Sequence, residues 1–475
     1  MLPSSRSANF AASAGPCLWK QQSRPDFLRK AASRCTAGKA AGPALLINAA
    51  GNRAQVMSMS REAPAVAPPS FAGPSRDGSR VPFELFTRAD VFAREQEAIF
   101  RGPVWNYVAL EAELPEPCDF KTSFVGDTPI IVSRAEDGSL HAFVNRCAHR
   151  GATVQRQTCG NARQHRCVYH QWAYNARGEL VGVPYRRGVP GMGGYAADFD
   201  PKGHGLARLR VASHKGVIFA SFSADTAPLE DYLDEPLIAA IDRLFSRPVK
   251  VLGHMRQRVR GNWKLYSENT RDPYHAALLH GFHATFGLYR TNQKRKGGSD
   301  RARAHSTGVT FGDDWRQASQ SANIGQDKFV TNYSLADPSL LEGRPDFNDG
   351  VTVSITSIFP CLVIQQIMNT LATRHIRPKA ADEFELYWTY FGYQDDDEQM
   401  TACRLKQANL VGPAGLISME DSEAIELIQR AIVRDGREDS FLEFGGLPAD
   451  LDQDRQGEAT IRAFWRYYAG LMGLA

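Results

Sequence analysis

The sequence predicts an α+β protein built from a small antiparallel β module followed by an antiparallel sheet wrapped around a long helix. Three observations predict it. Short strand-like runs broken by turn signals fill residues 104–145. Longer runs rich in β-branched and aromatic residues fill 351–393. Helix-patterned segments lie before, between and after them. A chain of 475 residues with 43% hydrophobic content can bury more than one core.

Composition narrows the function. No apolar run approaches the ~20 residues of a membrane span, so no membrane helix is expected. The net charge of +4 is unevenly spread: residues 1–56 hold eight Lys or Arg and one acid, Asp26. The remainder is slightly acidic and has no basic stripe, which argues against nucleic acid. Eight scattered cysteines make no disulfide framework, and the expected compartment is a reducing cytoplasm.

Residues 1–78 are rich in Ala, Ser, Pro, Gly and Arg, without periodicity, and are expected to be a disordered leader. Such a leader fits a transit peptide, a flexible tail, or sequence upstream of a later start. Met57-Ser58-Met59-Ser60 favours the last. No secretory signal is present.

Residues 88–100 read as an amphipathic helix with Val91, Phe92, Ala98, Ile99 and Phe100 apolar. Strands are expected at 104–109, 120–125, 130–133 and 141–145, with turns at Pro115-Glu116-Pro117, Gly126-Asp127 and Asp137-Gly138. Further strands around Tyr174, at 180–183 and at 209–212 complete this module. The apolar run 216–222 is expected to enter a second domain. A helix follows at 229–247.

Cys147-Ala148-His149 is followed, after seventeen residues, by Cys167-Val168-Tyr169-His170. A structural zinc site more often pairs Cys with Cys and His with His. One Cys and one His per loop is what a Rieske [2Fe–2S] centre needs, with two thiolates on one iron and two imidazoles on the other. Cys159 fits no ligand position and reads as a free thiol in a surface loop.

The second constellation is N-W-K-x-x-x-E-N-x-x-D-x-x-H-x-x-x-x-H over residues 262–280. On an ideal helix His275 and His280 would stand roughly 140° apart, at about 100° per residue. A π-type bulge, or a helix ending near Gly281, would bring them together. Alone, they could be two ordinary helix histidines. Asp272, three residues before His275, is placed to orient it.

Residues 290–350 are polar and read as a long insertion near the site mouth, with a solvated basic run at 294–296. Strands are expected at 351–358, 361–367, 372–378 and 384–393. An acidic turn at 394–398 ends the sheet, and helices at 421–434 and 458–471 close the domain.

N-R-C-A-H-R-G and C-x-Y-H-Q-W-x-Y resemble the cluster loops of Rieske oxygenases. Many relatives have Gly where Gln171 stands. The 262–280 pattern resembles the catalytic segment of ring-hydroxylating Rieske oxygenase α subunits, whose two histidines and one carboxylate hold a non-haem iron. G-P-A-G at 412–415 with Met419-Glu420-Asp421 resembles the later segment. The resemblance covers roughly residues 80–440.

It implies Cys147, His149, Cys167 and His170 as cluster ligands and His275, His280 and Asp421 as Fe(II) ligands. It implies that Asp272 bridges a neighbouring subunit's cluster histidine, matched by His170, to His275. Glu268 and Asn269 would flank that contact. The implied domains are an N-terminal helix of the catalytic domain at 79–103, a Rieske domain at 104–212 and a helix-grip catalytic domain at 213–475.

The implied partners are a ferredoxin and/or a reductase that takes electrons from NADH, since no G-x-G-x-x-G fingerprint is present. A homotrimer or a trimer with a small β subunit is also implied. S-R-V-P-F at 79–83, G-V-P-Y-R-R-G-V-P-G-M-G-G at 182–194 and F-G-Y-Q-D-D-D-E at 391–398 resemble the subgroup acting on anthranilate, salicylate and ortho-substituted benzoates. The expectation is O2-dependent 1,2-dioxygenation of anthranilate to catechol. Salicylate monohydroxylation to gentisate is one alternative and a pure electron-transfer Rieske protein another. A buried substrate carboxylate needs a cation or several donors. Arg374, Arg377, Asn369 and Gln365 are the candidates, without a choice among them.

Overall fold

The computed structural model describes residues 71–286, 288, 293–299, 304–312, 336–434, 438–447 and 457–474. The expected leader lies outside these residues up to position 70. Residues 71–78 form a defined turn: Asp77 accepts from Ser75 Oγ at 2.7 Å and from the Ser79 amide at 3.0 Å, and Phe71 is buried.

The first sheet has seven antiparallel strands. Their order is Asn106–Leu110, Val217–Ser221, Arg208–His214, Leu140–Val144, Thr128–Arg134, Asp119–Val125 and Cys159–Asn161. A small sheet of Gln164–Arg166, Ala173–Asn175 and Leu180–Gly182 carries the second Cys/His loop. Val217–Ser221 therefore completes this sheet and does not open a second domain, so the boundary expected at 213 cuts through it. The reason is local. Lys215 and Gly216 both have positive φ, 49° and 82°, and form a two-residue hairpin loop that returns the chain antiparallel.

The second sheet also has seven antiparallel strands. Their order is Val249–Val259, Glu383–Tyr393, Thr370–Ala380, Leu362–Ile367, Val351–Ile358, Ser306–Phe311 and Arg295–Ser299. The last two extend the sheet where a polar insertion was expected. Arg295–Ser299 reads R-K-G-G-S, a short, basic edge strand without apolar alternation.

This sheet has two different faces. Thr373, His375 and Arg377 point toward the first module: Tyr107 OH lies 3.0 Å from Thr373 Oγ1, and Phe124 lies beneath the Arg377 guanidinium. Residues at the alternate positions face the Trp263–Asn269 helix, where Arg374 Nη1 donates to Tyr266 OH at 2.8 Å. The long helix on that face is Leu416–Ile432, tied to the first strand through Gln257, which bonds Ser418 and Ser422.

Asp396, expected in a solvated acidic turn, is buried and receives Arg404 Nε at 2.8 Å. Asp397 caps a helix, Glu398–Val411, absent from the sequence reading.

The N-W-K motif fixes the helix that leads into the site. Asn262 is its N-cap, accepting from the Lys264 amide at 3.0 Å, and its Nδ2 donates to Phe86 and Ala381 carbonyls at 3.1 and 2.7 Å. Trp263 and Lys264 point into the core, where Glu95 accepts from Trp263 Nε1 at 2.8 Å, Lys264 Nζ at 2.5 Å and Tyr468 OH at 2.6 Å. Glu95 ends the Ala89–Glu95 helix, which continues as a π-helical turn, Gln96–Phe100. Tyr468 lies on the C-terminal Ala459–Met472 helix. Burial opposes the charge on Lys264 and Glu95 restores much of it. Removing the acid strands a buried ammonium, so Glu95→Ala is expected to destabilise the chain by about 3–5 kcal/mol, read as lost urea resistance. An unfolding midpoint equal to wild type would contradict this role.

Candidate active site

Two loops of the first module present Cys147 and His149, and Cys167 and His170, with matching backbones. The Cys147 amide donates to Ala152 O and the Gly151 amide to Cys147 O. The Cys167 amide donates to Trp172 O and the Gln171 amide to Cys167 O. The residue four after each cysteine has positive φ, 75° at Gly151 and 57° at Gln171. Gln171 thus occupies a glycine position, at a cost of about 1 kcal/mol.

Asn145 staples the first loop, accepting from the Val154 and Gln155 amides at 3.1 and 2.8 Å. Both cysteines are buried, and Tyr174 OH lies 3.2 Å from Cys147 Sγ. The His149 and His170 ring centroids are 4.6 Å apart, and His149 stacks on Trp172. His149 Nδ1 is a buried atom without a protein partner, as a ligating nitrogen would be. The donor set of two thiols and two imidazoles fits a Rieske cluster. Cys159 does not join it. It lies in the Cys159–Asn161 strand and is disulfide-bonded, not free.

The second site uses a broken backbone. The Trp263–Asn269 helix stops before Asp272. A single turn, Ala276–Leu279, follows His275, and His280 leaves helical geometry at φ −84° and ψ 74° before Gly281–Thr285 begins. No π-bulge is needed, because the helix break at His280 turns its ring toward His275, with centroids 5.3 Å apart.

Asp421 joins from the Leu416–Ile432 helix, in its second turn and buried, not at its N-terminus. Ligand atoms of His275, His280 and Asp421 all lie within 4.8 Å of one another. Asp421 Oδ1 is 3.5 Å from His275 Nε2 and 3.4 Å from His280 Nε2. The opposite ring nitrogens are held by carboxylates: His275 Nδ1 at 3.1 Å from Asp272 and His280 Nδ1 at 2.8 Å from Glu420. Asn269 Nδ2 donates to Asp421 Oδ1 at 3.0 Å. Two nitrogens and a carboxylate oxygen converging this way suit one divalent iron.

Burial opposes charging of His275, but Asp272 and Asp421 outweigh it and raise its pKa to about 9. Burial likewise opposes ionisation of Asp421, but the two histidines hold it below the usual carboxylate range. A bound cation would take the place of the His275 proton. His283 was not anticipated. Its ring lies 6.0 Å from His280, burial pushes its pKa down to about 3, and neither ring nitrogen has a protein partner. The only sequence signal is H-G-F-H at 280–283.

Residues 104–193 match the model of the Rieske [2Fe-2S] domain, and residues 243–473 match that of the ring hydroxylating alpha subunit catalytic domain. The large subunit of anthranilate 1,2-dioxygenase from Burkholderia cepacia is 51% identical over 403 residues, 84% of this chain and 95% of that protein.

The chain belongs to the Rieske ring-hydroxylating oxygenase α subunits.

Two other members are similar along their lengths. The terephthalate 1,2-dioxygenase terminal oxygenase component subunit alpha 2 of a Comamonas species is 44% identical, over 83% of this chain and 96% of that one. The salicylate 5-hydroxylase large oxygenase component of a Ralstonia species is 40% identical, over 84% and 96%. The structure of naphthalene 1,2-dioxygenase from a Rhodococcus species, bound to indole, superposes with a TM-score of 0.69 at 25% identity, covering 83% of this chain and 94% of that one.

This Rieske oxygenase α subunit is a terminal oxygenase whose cofactors are the [2Fe–2S] cluster and a mononuclear iron. Membership sets aside both the zinc reading and the pure electron-transfer reading. Among the described residues no helix is long and apolar enough to cross a membrane.

Glu268, on the helix leading into the site, accepts from Trp465 Nε1 at 2.6 Å. Burial, reinforced by Asp272 and Glu458, pushes its pKa up from 4.5 to about 8. The folded state therefore holds a proton that the unfolded state has lost. The resulting stabilisation is complete below the unfolded value of 4.5 and is lost as pH rises through 8. Glu268→Gln should melt higher than wild type by roughly 2–4 °C at a pH of about 8.5, with the gap closing near pH 5. Parallel melting curves for the two proteins across that range would contradict the assignment.

Proposed function

We propose that this subunit hydroxylates an aromatic carboxylate, and that its reaction is 1,2-dioxygenation of anthranilate to catechol. The observation that carries the reading is the convergence of His275, His280 and Asp421 within 4.8 Å, each histidine backed by its own acid. Likeness to the Burkholderia large subunit along 95% of its length favours anthranilate as the substrate.

His275, His280 and Asp421 would hold the iron, and Cys147, His149, Cys167 and His170 the cluster. When bound, the iron offers coordination positions to O2 and the cluster supplies its electrons. Asp272 accepts from His275 Nδ1, so Nε2 would be the nitrogen left for the ion. Glu420 does the same for His280. Asn269 holds the Asp421 carboxylate, and Glu268 supports the turn between them. In the overall reaction both atoms of O2 enter catechol, two electrons come from NADH through a separate reductase, and CO2 and ammonia leave.

Asp272 spends Oδ1 on the Tyr274 amide at 2.7 Å and Oδ2 on His275, and its side chain remains partly exposed. Val168, Tyr169, Tyr185 and Met192 are exposed around the cluster loops, and Tyr274, Leu278 and Phe444 are exposed beyond Asp272. Exposed apolar surface beside both centres supports a head-to-tail trimer, with or without a small β subunit, in which His170 of one subunit meets Asp272 of the next. Asp272→Ala should leave both metals bound and slow electron transfer between them by at least roughly 10²-fold in single-turnover kinetics. A normal transfer rate would remove Asp272 from the path.

The reading is tested by supplying the full chain with iron and a compatible reductase and ferredoxin, then feeding anthranilate and salicylate separately under 18O2. Catechol carrying two labels supports it. Gentisate from salicylate with one label supports the second reading, favoured by the 40% likeness to the Ralstonia protein. Neither product from fully loaded protein overturns both.

A further inference from the structure

The sheet face turned toward the Trp263–Asn269 helix carries four side chains that the scaffold leaves incompletely bonded. Arg374 stands opposite Trp388 across the strand pair, and Gln365 and Tyr390 flank Ala372 one step away. Each is at most 4% exposed. Arg374 Nη1 donates to Tyr266 OH at 2.8 Å, Nη2 donates to Gln365 Oε1, and the guanidinium lies 4.5 Å from the Trp388 ring centroid. All of these partners are neutral. Among the described residues no carboxylate pairs with Arg374.

A buried guanidinium without a counter-charge is costly. Its surroundings add to the cost. Arg374 Nε, Gln365 Nε2, Trp388 Nε1 and Tyr390 OH are all buried without a protein partner, and all four can donate. Burial raises the Tyr390 hydroxyl well above its usual value, so it stays protonated. Four donors, one of them on a cation, with no acid among them make a receptor for a two-oxygen anion. The other sequence candidates differ. Arg377 is on the opposite face, paired with Glu385 at 3.2 Å, and Asn369 is bonded to the Arg344 backbone through both side-chain atoms.

The cluster adjoins the proposed iron ligands. Tyr266 is one helical turn before Asn269, which holds Asp421. Tyr390 OH packs so closely on Gly412 that a Cβ there would fall 1.9 Å from it. Gly412 begins the loop into the helix that carries Asp421.

We propose that Arg374, with Gln365, Trp388 and Tyr390, binds the carboxylate of the aromatic substrate and so sets which acids this oxygenase accepts. The proposal rests on the aromatic-carboxylate reading above. It explains why the scaffold keeps an uncompensated cation in its core: the substrate supplies the missing acid.

The test titrates the iron-loaded full chain with anthranilate and with its neutral analogue 2-aminobenzamide, by calorimetry. Wild type should bind the acid and discriminate against the amide. Arg374→Gln should weaken anthranilate at least roughly thirtyfold and change the amide by less than about threefold. Gln365→Glu is the second variant. It gives Arg374 an internal acid, so the fold is kept or strengthened, yet anthranilate binding should fall by a similar factor. A merely structural Arg374 predicts unchanged binding in Gln365→Glu. Wild-type affinity for anthranilate in either folded variant overturns the assignment. Failure of wild type to bind any of anthranilate, salicylate and benzoate overturns the substrate reading itself, before variants are compared.

Discussion

Glu95 is the acid on which the catalytic half of the molecule turns. It is buried where three helices meet, and it takes hydrogen bonds from Trp263, Lys264 and Tyr468. A carboxylate and an ammonium both lose their water there, so each depends on the other. The pair holds the start of the segment that runs on to Asn269, Asp272, His275 and His280. A shift of that helix would move every one of them. Asn262 fixes the same helix from outside, through its cap and its bonds to the Phe86 and Ala381 carbonyls.

The same logic of compensated charge recurs at the iron site and then stops. Asp272 and Glu420 answer the two histidines, and the histidines answer Asp421. Each charge there has a partner before any ion arrives, which preorganises the ligands. Arg404 is buried deeper in the sheet and also has its acids, Asp346 and Asp396. Arg374 is the contrast. Arg271 and Arg462 are also buried without an acid, but backbone carbonyls of Ser267, Ala304, Leu442 and Gly446 take their hydrogens, whereas Arg374 Nε has no partner.

Much of this was legible in sequence because it rests on periodicity and spacing. The strands from 351 to 393 alternate β-branched and aromatic residues and lie within two residues of where they were expected. The cluster loops were legible because two cysteines and two histidines sit at fixed offsets. Other features depend on tertiary pairing. Glu398–Val411 buries Arg404 and Gln407 among its apolar residues, so its pattern does not follow a helical period. Val217–Ser221 was legible as a strand, but its sheet was decided by the Lys215-Gly216 turn. His275 and His280 converge through a break at His280, next to Gly281, which is one of the two arrangements their spacing allowed. Glu420 and His283 gain their meaning only once the chain brings residues 280 and 420 together.

We propose that one chain holds two distinct iron centres, with the mononuclear one at His275, His280 and Asp421. The most direct measurement is iron and acid-labile sulfide per chain in the purified full-length protein and in Asp421→Ala. Wild type should hold about three irons and two sulfides, and the variant about two of each with the cluster's visible spectrum unchanged. Three irons retained in Asp421→Ala would contradict it.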